Sequence, residues 1–303
     1  MKKVVFILGT GHCGSTLLDL ILSSHTQAFG LGAISALKNE ADLYRKPGAA
    51  FCNIHEDKDT FWTEEIKAQL LRYIRPRPLW RMPLKKVLPS LDDQLETRLR
   101  TKAYEYMFEA TGKSILTDSS KNPRWISLSA RGVEQSSVAT PYVIYLSRDG
   151  RAVINAYRRK YAERGVATLS QQWMDKVQTI NRFYEAYAGA KYWLKYEDLA
   201  SQPEATMQAV CRFLNIEYEP TMLRFWEHDH HLVGGNHGTK SLISKFKYNR
   251  LVTTDADKGQ HYGNHALGIQ LDERWKQELT ADNLAVIEEN ISVLNQPLKY
   301  SLS

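Results

Sequence analysis

The run Val4-Val5-Phe6-Ile7-Leu8 contains no polar residue and is rich in β-branched side chains; a glycine-spaced stretch from Gly9 to Gly14 ends it, and Ser15 to Leu22 resumes as helix. An apolar run without alternation is the pattern of a strand covered on both faces, which parallel sheets with helices on either side provide. The chain therefore opens as strand, glycine loop, helix. Further strands are predicted at Ser114 to Thr117, Tyr142 to Leu146 and Lys191 to Lys195, each preceded by a helix-like segment. Strands separated by helices imply one parallel sheet flanked by helices on both faces, so the expected fold class is α/β.

Leu91, Leu95, Leu99 and Tyr106 recur at spacings that predict a long amphipathic helix, stopped by Gly112. Leu169 to Tyr187 and Pro203 to Leu214 read as scaffolding helices, the second with proline in its first turn. Two segments look irregular. Around 75–90, Pro76, Pro78 and Pro83 are interleaved with Arg75, Arg77, Arg81, Lys85 and Lys86 and no acid, which predicts a basic loop. From about 234 to 268, glycines and cations suggest a long C-terminal loop, the kind of connection that often serves as a functional lid. No repeat or low-complexity linker divides the 303 residues, and a single domain over 1–303 is expected.

A net charge of +6 favours anionic partners without choosing among them. Cys13, Cys52 and Cys211 are too few and too scattered for a disulfide framework and contain no Cys-x-x-Cys pair. The apolar run after Lys2 and Lys3 is shorter than a secretory core, and no stretch approaches a membrane span, so the expectation is a soluble cytoplasmic protein with no membrane partner.

Gly9-Thr10-Gly11-His12-Cys13-Gly14-Ser15-Thr16 has the spacing of a phosphate-binding P-loop, whose glycines let successive N–H groups curl around an anion at a helix N-terminus. The lysine that reaches β- and γ-phosphates is replaced by Ser15, which disfavours a nucleoside triphosphatase and suits one 5′-phosphate with its attached group. Lys121, in Asp118-Ser119-Ser120-Lys121, and Arg148, in Arg148-Asp149-Gly150-Arg151, each follow a predicted strand, where α/β sheets place their ligands. Together the three strand ends describe an anion-binding rim.

With these motifs in this order, and with Tyr196-Glu197-Asp198-Leu199, His231 to Asn236 and Leu271-Asp272-Glu273-Arg274-Trp275-Lys276, most of the chain resembles the PAPS-dependent sulfotransferases of the bacterial and carbohydrate type, with similarity to the tyrosylprotein branch. The resemblance implies a P-loop-type, sulfotransferase-like fold and transfer of a sulfuryl group from 3′-phosphoadenosine 5′-phosphosulfate (PAPS) to an acceptor hydroxyl, leaving PAP and requiring no metal. It implies that Gly11, His12, Cys13, Gly14, Ser15 and Thr16 hold the 5′-phosphosulfate. By the same likeness Arg148 pairs with the 3′-phosphate, Tyr196 lines the nucleotide pocket, and Lys121 steadies charge on the transferring group.

Three positions depart from the family pattern. The usual P-loop cation is His12, whose charge depends on protonation near neutral pH, so activity is expected to fall as pH rises. The serine expected eight residues after Arg148 is Ala156, for which Arg159 or Lys160 would compensate. The glutamate that usually takes the acceptor's proton is Ala33. Three readings stand: a deliberate replacement at position 33 that depletes the base, a substitute base among His25, His55, Glu40 and Asp118, or a protein that binds the nucleotide without catalysing transfer. The crowded His228, His230 and His231 have no paired downstream ligands, so no metal site is expected there.

The basic loop points to an anionic acceptor, and Trp62, Trp80 and Trp226 could stack on a sugar or aromatic one. Small-molecule, carbohydrate and peptide acceptors all remain open, and nucleic acid is not expected. The competing readings are a P-loop nucleotide kinase, opposed by the missing lysine, and a non-catalytic nucleotide- or RNA-binding protein, which lacks the regular aromatic interleaving of single-strand binders.

Overall fold

The computed structural model describes residues 1–39, 51–52, 54–55, 59–74, 89–249 and 267–300. Five strands, β1 (Lys3–Leu8), β2 (Ala28–Gly30), β3 (Ile115–Lys121), β4 (Thr140–Ser147) and β5 (Ala190–Lys195), form one parallel sheet in the order β2-β3-β1-β4-β5. All four predicted strands are present, and the fold is α/β as expected. β2 pairs with β3 in the register Ala28↔Ile115, Phe29↔Leu116, Gly30↔Thr117. The chain leaves β1 toward one edge of the sheet and leaves β4 toward the other, so the switch point lies between these neighbours. In open α/β sheets ligands bind beyond the strand ends at such a point. The loops that emerge there are Gly9 to Gly14 and Arg148 to Gly150.

The chain forms two compact units. The first comprises Met1–Ile7, Thr16–Tyr142 and Glu219–Leu267, and the second Leu8–Ser15, Val143–Tyr218 and Gly268–Ser303. In the first, the predicted long helix spans Pro89–Thr111 and packs on Pro123–Gln135, but its inner face is not the leucine stripe. Leu91 is exposed, while Asp92, Glu96, Arg100, Tyr104, Met107 and Phe108 are buried. The charged positions also recur every four residues, and their burial is compensated: Arg100 donates to Glu96 Oε2 at 2.5 Å and to the Trp125 carbonyl at 3.1 Å, and its guanidinium lies 4.2 Å from the Trp125 ring. Lys38 and Arg124 add donors to Glu96 at 2.7 and 3.2 Å. A salt-bridged network can therefore occupy a face that periodicity assigns to leucine.

In the second unit, Gly150–Lys160 and Val166–Ala186 bury Val153, Ile154, Tyr157, Leu169, Trp173 and Val177 with Ile287 and Ile291 of Ala281–Asn295. A Cβ on Gly150 would come within 2.8 Å of Ile291 and Trp173, so the start of its helix requires glycine. Pro203–Leu214 forms as predicted.

The loop expected over 234–268 is corrected in part, because His237–Tyr248 is a helix. Gly234 and Gly235 carry positive φ ahead of the helix rather than inside it, the Asn236 side chain accepts from Thr239 N–H, and Leu242 and Ile243 are buried. Residues 250–266 and the basic proline-rich stretch 75–88 lie outside the described residues; Pro89 and Ser90 already belong to the long helix. Among the described residues, no helix is long and apolar enough to cross a membrane.

Glu96→Leu removes the carboxylate on which Arg100 rests and leaves a buried cation, so it should cost about 3–5 kcal/mol. Arg100→Leu should cost less, because Glu96 keeps Lys38 and Arg124. Denaturant melts of the two variants test the asymmetry, and equal losses would refute it.

Candidate functional site

The glycine loop of the second unit is walled by side chains distant in sequence. His12 has φ 60° and Gly14 φ 95°, the left-handed turns that let consecutive N–H groups converge. A Cβ on Gly9 would stand 2.6 Å from the Leu146 carbonyl, one on Gly11 3.2 Å from the Tyr157 hydroxyl, and one on Gly14 2.6 Å from the Tyr196 ring. The His12 ring meets Tyr157 edge-on at 5.5 Å, and the Lys176 ammonium lies 4.9 Å from the Tyr157 ring. Cys13 is buried beneath the loop, and Ser15 and Thr16, also buried, start the helix Ser15–Ser23.

Arg148 reaches this loop from the end of β4. Its Nη1 donates to the His12 carbonyl at 3.0 Å, its guanidinium stacks 4.3 Å from the Tyr196 ring, and it is only 7% exposed. Its Nη2 donates to the Asp272 carbonyl at 2.9 Å and faces the Asp272 carboxylate at 3.2 Å; its buried Nε has no acceptor among the described residues. Tyr196 fixes the same segment, donating to the Gln270 carbonyl and accepting from Asp272 N–H, both at 3.1 Å. Burial opposes ionisation of Asp272, but hydrogen bonds and charge from Arg274 and Arg148 prevail and hold its carboxyl well below the usual range. Glu197 accepts from Asp149 N–H at 2.9 Å, which ties the end of β5 to the end of β4.

The structure thus joins Gly11, His12, Gly14, Arg148 and Tyr196. Lys160 ends its helix exposed, 5.3 Å above the Tyr161 ring, and Arg159 pairs with Glu278. Asp272, Tyr157 and Lys176 were not singled out by sequence reading for this loop. Only Asp272 sat within a quoted motif, and nothing in that motif shows that its acid meets Arg148.

The first unit holds the other expected residues. Lys121 ends β3 with φ 63°, and its ammonium donates to the Ser119 carbonyl at 2.9 Å. The adjoining end of β2 is fastened to it: Ser119 N–H donates to the Gly32 carbonyl at 2.8 Å, and Ser35 N–H donates to Ser120 Oγ at 3.0 Å. Ala33 lies in that fastened turn, donating its N–H to the Val233 carbonyl at 2.8 Å. Thr16 Oγ1 accepts from Asn236 N–H at 2.9 Å.

The substitute bases are committed elsewhere. Asp118 is fully buried; Tyr104 Oη donates to it at 2.5 Å, Trp125 Nε1 at 2.8 Å and Ser120 N–H at 2.8 Å. It is an anchor for three elements, and burial raises its pKa. His25 Nδ1 accepts from Gln27 N–H at 3.1 Å and its Nε2 faces Glu219 at 3.4 Å. His55 Nε2 lies 2.8 Å from the His230 carbonyl. Glu40 lies outside the described residues.

A strand followed by a glycine loop that a buried arginine closes agrees with the comparison to known families. The family model described as the sulfotransferase family matches residues 4–220, and the chain belongs to that family. Among solved structures, the sulfotransferase domain from the curacin biosynthetic pathway is 20% identical with a TM-score of 0.50, over 100% of this chain and 99% of that one. The sulfotransferase domain from the Synechococcus PCC 7002 olefin synthase is 18% identical with a TM-score of 0.48, over 100% and 96%. A Mycobacterium avium sulfotransferase is 10% identical with a TM-score of 0.46, over 99% and 78%. At 20% identity the likeness to the first of these is one of fold. No curated protein matches the chain.

Asp19, on the loop's following helix, accepts from Thr117 Oγ1 while its Oδ2 is buried with no partner among the described residues, and burial pushes its pKa up to about 6. Its folded-state pKa exceeds the unfolded value near 4, so ionisation destabilises the fold increasingly from pH 4 to 6 and by a constant amount above. Relative to the unmodified chain, Asp19→Asn should gain about 2–3 kcal/mol across that window. Denaturant melts at pH 4 and 7 with the same difference between the two proteins would contradict this.

Proposed function

We propose that the chain transfers a sulfuryl group from PAPS to an acceptor hydroxyl. What supports this most is Arg148, a buried guanidinium bonded to the backbone of the lysine-free glycine loop, which suits an adenosine with charged groups at both its 5′ and 3′ positions. PAPS supplies an activated sulfuryl group on a phosphate leaving group. The N–H groups of Gly11 to Thr16, with the Ser15 and Thr16 hydroxyls, would hold the 5′ end, and Tyr196 would line the pocket.

The residues present fit such a ligand on one condition. Arg148 Nε is a buried donor without an acceptor among the described residues, and the three glycines keep side chains out of the cradle. Asp272 is an acid already seated on the guanidinium, so a 3′-phosphate would have to exchange with it. Lys121 would offset the negative charge that grows on the leaving oxygens. Its ammonium donates to the neutral Ser119 carbonyl, which holds it at the strand end without neutralising it.

Position 33 is where this chain differs most from an efficient transferase. A methyl group cannot take the acceptor's proton, and His25 and Asp118 are held by their own partners. The reading is therefore a sulfotransferase with a depleted base. The acceptor class stays broad: a small molecule, carbohydrate or peptide, favoured if anionic by the net charge of +6. Buried thiols at Cys13, Cys52 and Cys211 are in keeping with a reducing, cytoplasmic setting.

Calorimetry with PAP, PAPS, ATP and GTP tests the donor. PAP and PAPS should bind and the triphosphates should not, and Arg148→Ala should weaken PAP at least tenfold, or about 1.4 kcal/mol. A normal PAP titration for that variant would remove Arg148 from the site, and turnover of ATP with magnesium would favour the kinase reading. In a sulfuryl-transfer assay, Lys121→Ala should lose about two to three orders of magnitude and Ala33→Glu should gain activity. Tight PAP binding with no turnover even in Ala33→Glu would identify a non-catalytic binder.

A further inference from the structure

Of the three crowded histidines near residue 230, two are already engaged by their own segment and, for His230, by Ser23 as well. His228 Nε2 bonds the Thr221 carbonyl at 3.0 Å, and His230 Nε2 donates to the Phe225 carbonyl at 2.8 Å while its Nδ1 accepts from Ser23 Oγ at 3.1 Å. His231 turns the other way, toward residues far upstream. Its ring lies 5.1 Å from that of His55, and its Nε2 is 3.6 Å from Asp229 Oδ2. His55 Nε2 is 3.1 Å from Asp229 Oδ1. One ligand atom from each of His55, Asp229 and His231 lies within 4.8 Å of the other two.

We infer that His55, Asp229 and His231 form a binding site for a divalent transition metal of the zinc class, an inference independent of the sulfuryl-transfer reading. Two imidazoles and one carboxylate are the donor set that zinc and its neighbours prefer. Bonds of about 2.0–2.1 Å in tetrahedral array put ligand atoms roughly 3.4 Å apart, and the observed 3.1 and 3.6 Å bracket that separation.

The surrounding groups are those a metal-bound histidine needs. A ligating imidazole is oriented by a hydrogen bond through its other nitrogen. His231 Nδ1 lies 3.0 and 3.1 Å from the two Asp59 oxygens, and His55 Nδ1 lies 3.3 Å from Tyr248 Oη. Phe29 stacks on His231 with its ring 5.8 Å away, and Phe61 lies 5.5 Å from it, which closes the apolar side. Asp229 is 56% exposed at its side chain and gives the ion a way in.

Two contacts must be exchanged when the ion binds. His55 Nε2 now lies 2.8 Å from the His230 carbonyl, and the Lys247 ammonium lies 2.7 Å from Asp229 Oδ1. His55 then donates through Nδ1 to Tyr248 Oη and turns the lone pair of its Nε2 to the ion, and Lys247 withdraws to water. The consequence is local to the first unit: the ion would fasten residue 55 to the 229–231 segment. Two residues on, Val233 pairs with Gly32 and accepts from Ala33 N–H.

The test is cobalt(II) and zinc(II) titration of the untagged full chain, read by cobalt d–d absorption, by metal content after dialysis, and by melting temperature with and without chelator. The unmodified chain should retain about one zinc per chain, show the intense visible bands of four-coordinate cobalt, and melt several degrees higher with metal. His231→Asn and His55→Gln should lose at least tenfold in affinity together with the bands. Lys247→Met, which removes a competing cation without touching a ligand, should tighten binding severalfold, and it keeps the inference testable if a ligand variant fails to fold. Absence of cobalt bands in the unmodified chain, or one affinity shared by all four proteins, would overturn the site.

Discussion

Arg148 carries three obligations at once: it donates to the loop carbonyl of His12, stacks on Tyr196, and accepts the charge of Asp272. A buried guanidinium is costly unless its donors and its charge are both answered, and here the answer comes from the end of β4, the start of the helix after β5, and a segment more than a hundred residues further on. The loop's shape and the arginine's burial are therefore one problem with one solution. A lysine could supply the charge but neither the flat stacking face nor the forked donors.

The first unit solves a different problem with carboxylates. Asp118 sits in the sequence where a reacting group would be sought, yet it is spent on holding Tyr104, Trp125 and the Ser120 amide. That anchoring fixes the end of β3, and with it the left-handed turn at Lys121 and the adjoining turn that contains Ala33. Position 33 is thus held as firmly as a catalytic position would be, although its side chain is a methyl group.

Much of this was legible in the residues. The Val4–Leu8 run, the glycine loop and the helix after it, and the three later strands follow from short-range patterns that need no partner to be recognised. β2 was missed because Ala28–Gly30 is too short to carry a period, and becomes a strand only through its pairing with Ile115–Thr117. The inner face of Pro89–Thr111 was misassigned because Asp92, Glu96 and Arg100 repeat as regularly as the leucines do, and only their partners decide which face is buried. That Asp272 meets Arg148 and that His55 lies beside His231 was beyond reach for the same reason. An acid on Arg148 and a histidine beside His231 are facts of tertiary approach, with no local signal in either stretch.

The walls of the glycine loop bear on how the chain comes to its shape. Leu146, Tyr157 and Tyr196 each bound a different glycine, and all three are made long after the loop itself has left the site of synthesis. The octet is local in composition and non-local in conformation, and contacts of such large sequence separation form late because loop closure must precede them. A growing chain that has not yet reached Tyr196 carries the glycines without the surfaces that select their turns. The contour of the loop is then among the last features to mature, set when the fifth strand and the helix behind it are laid down.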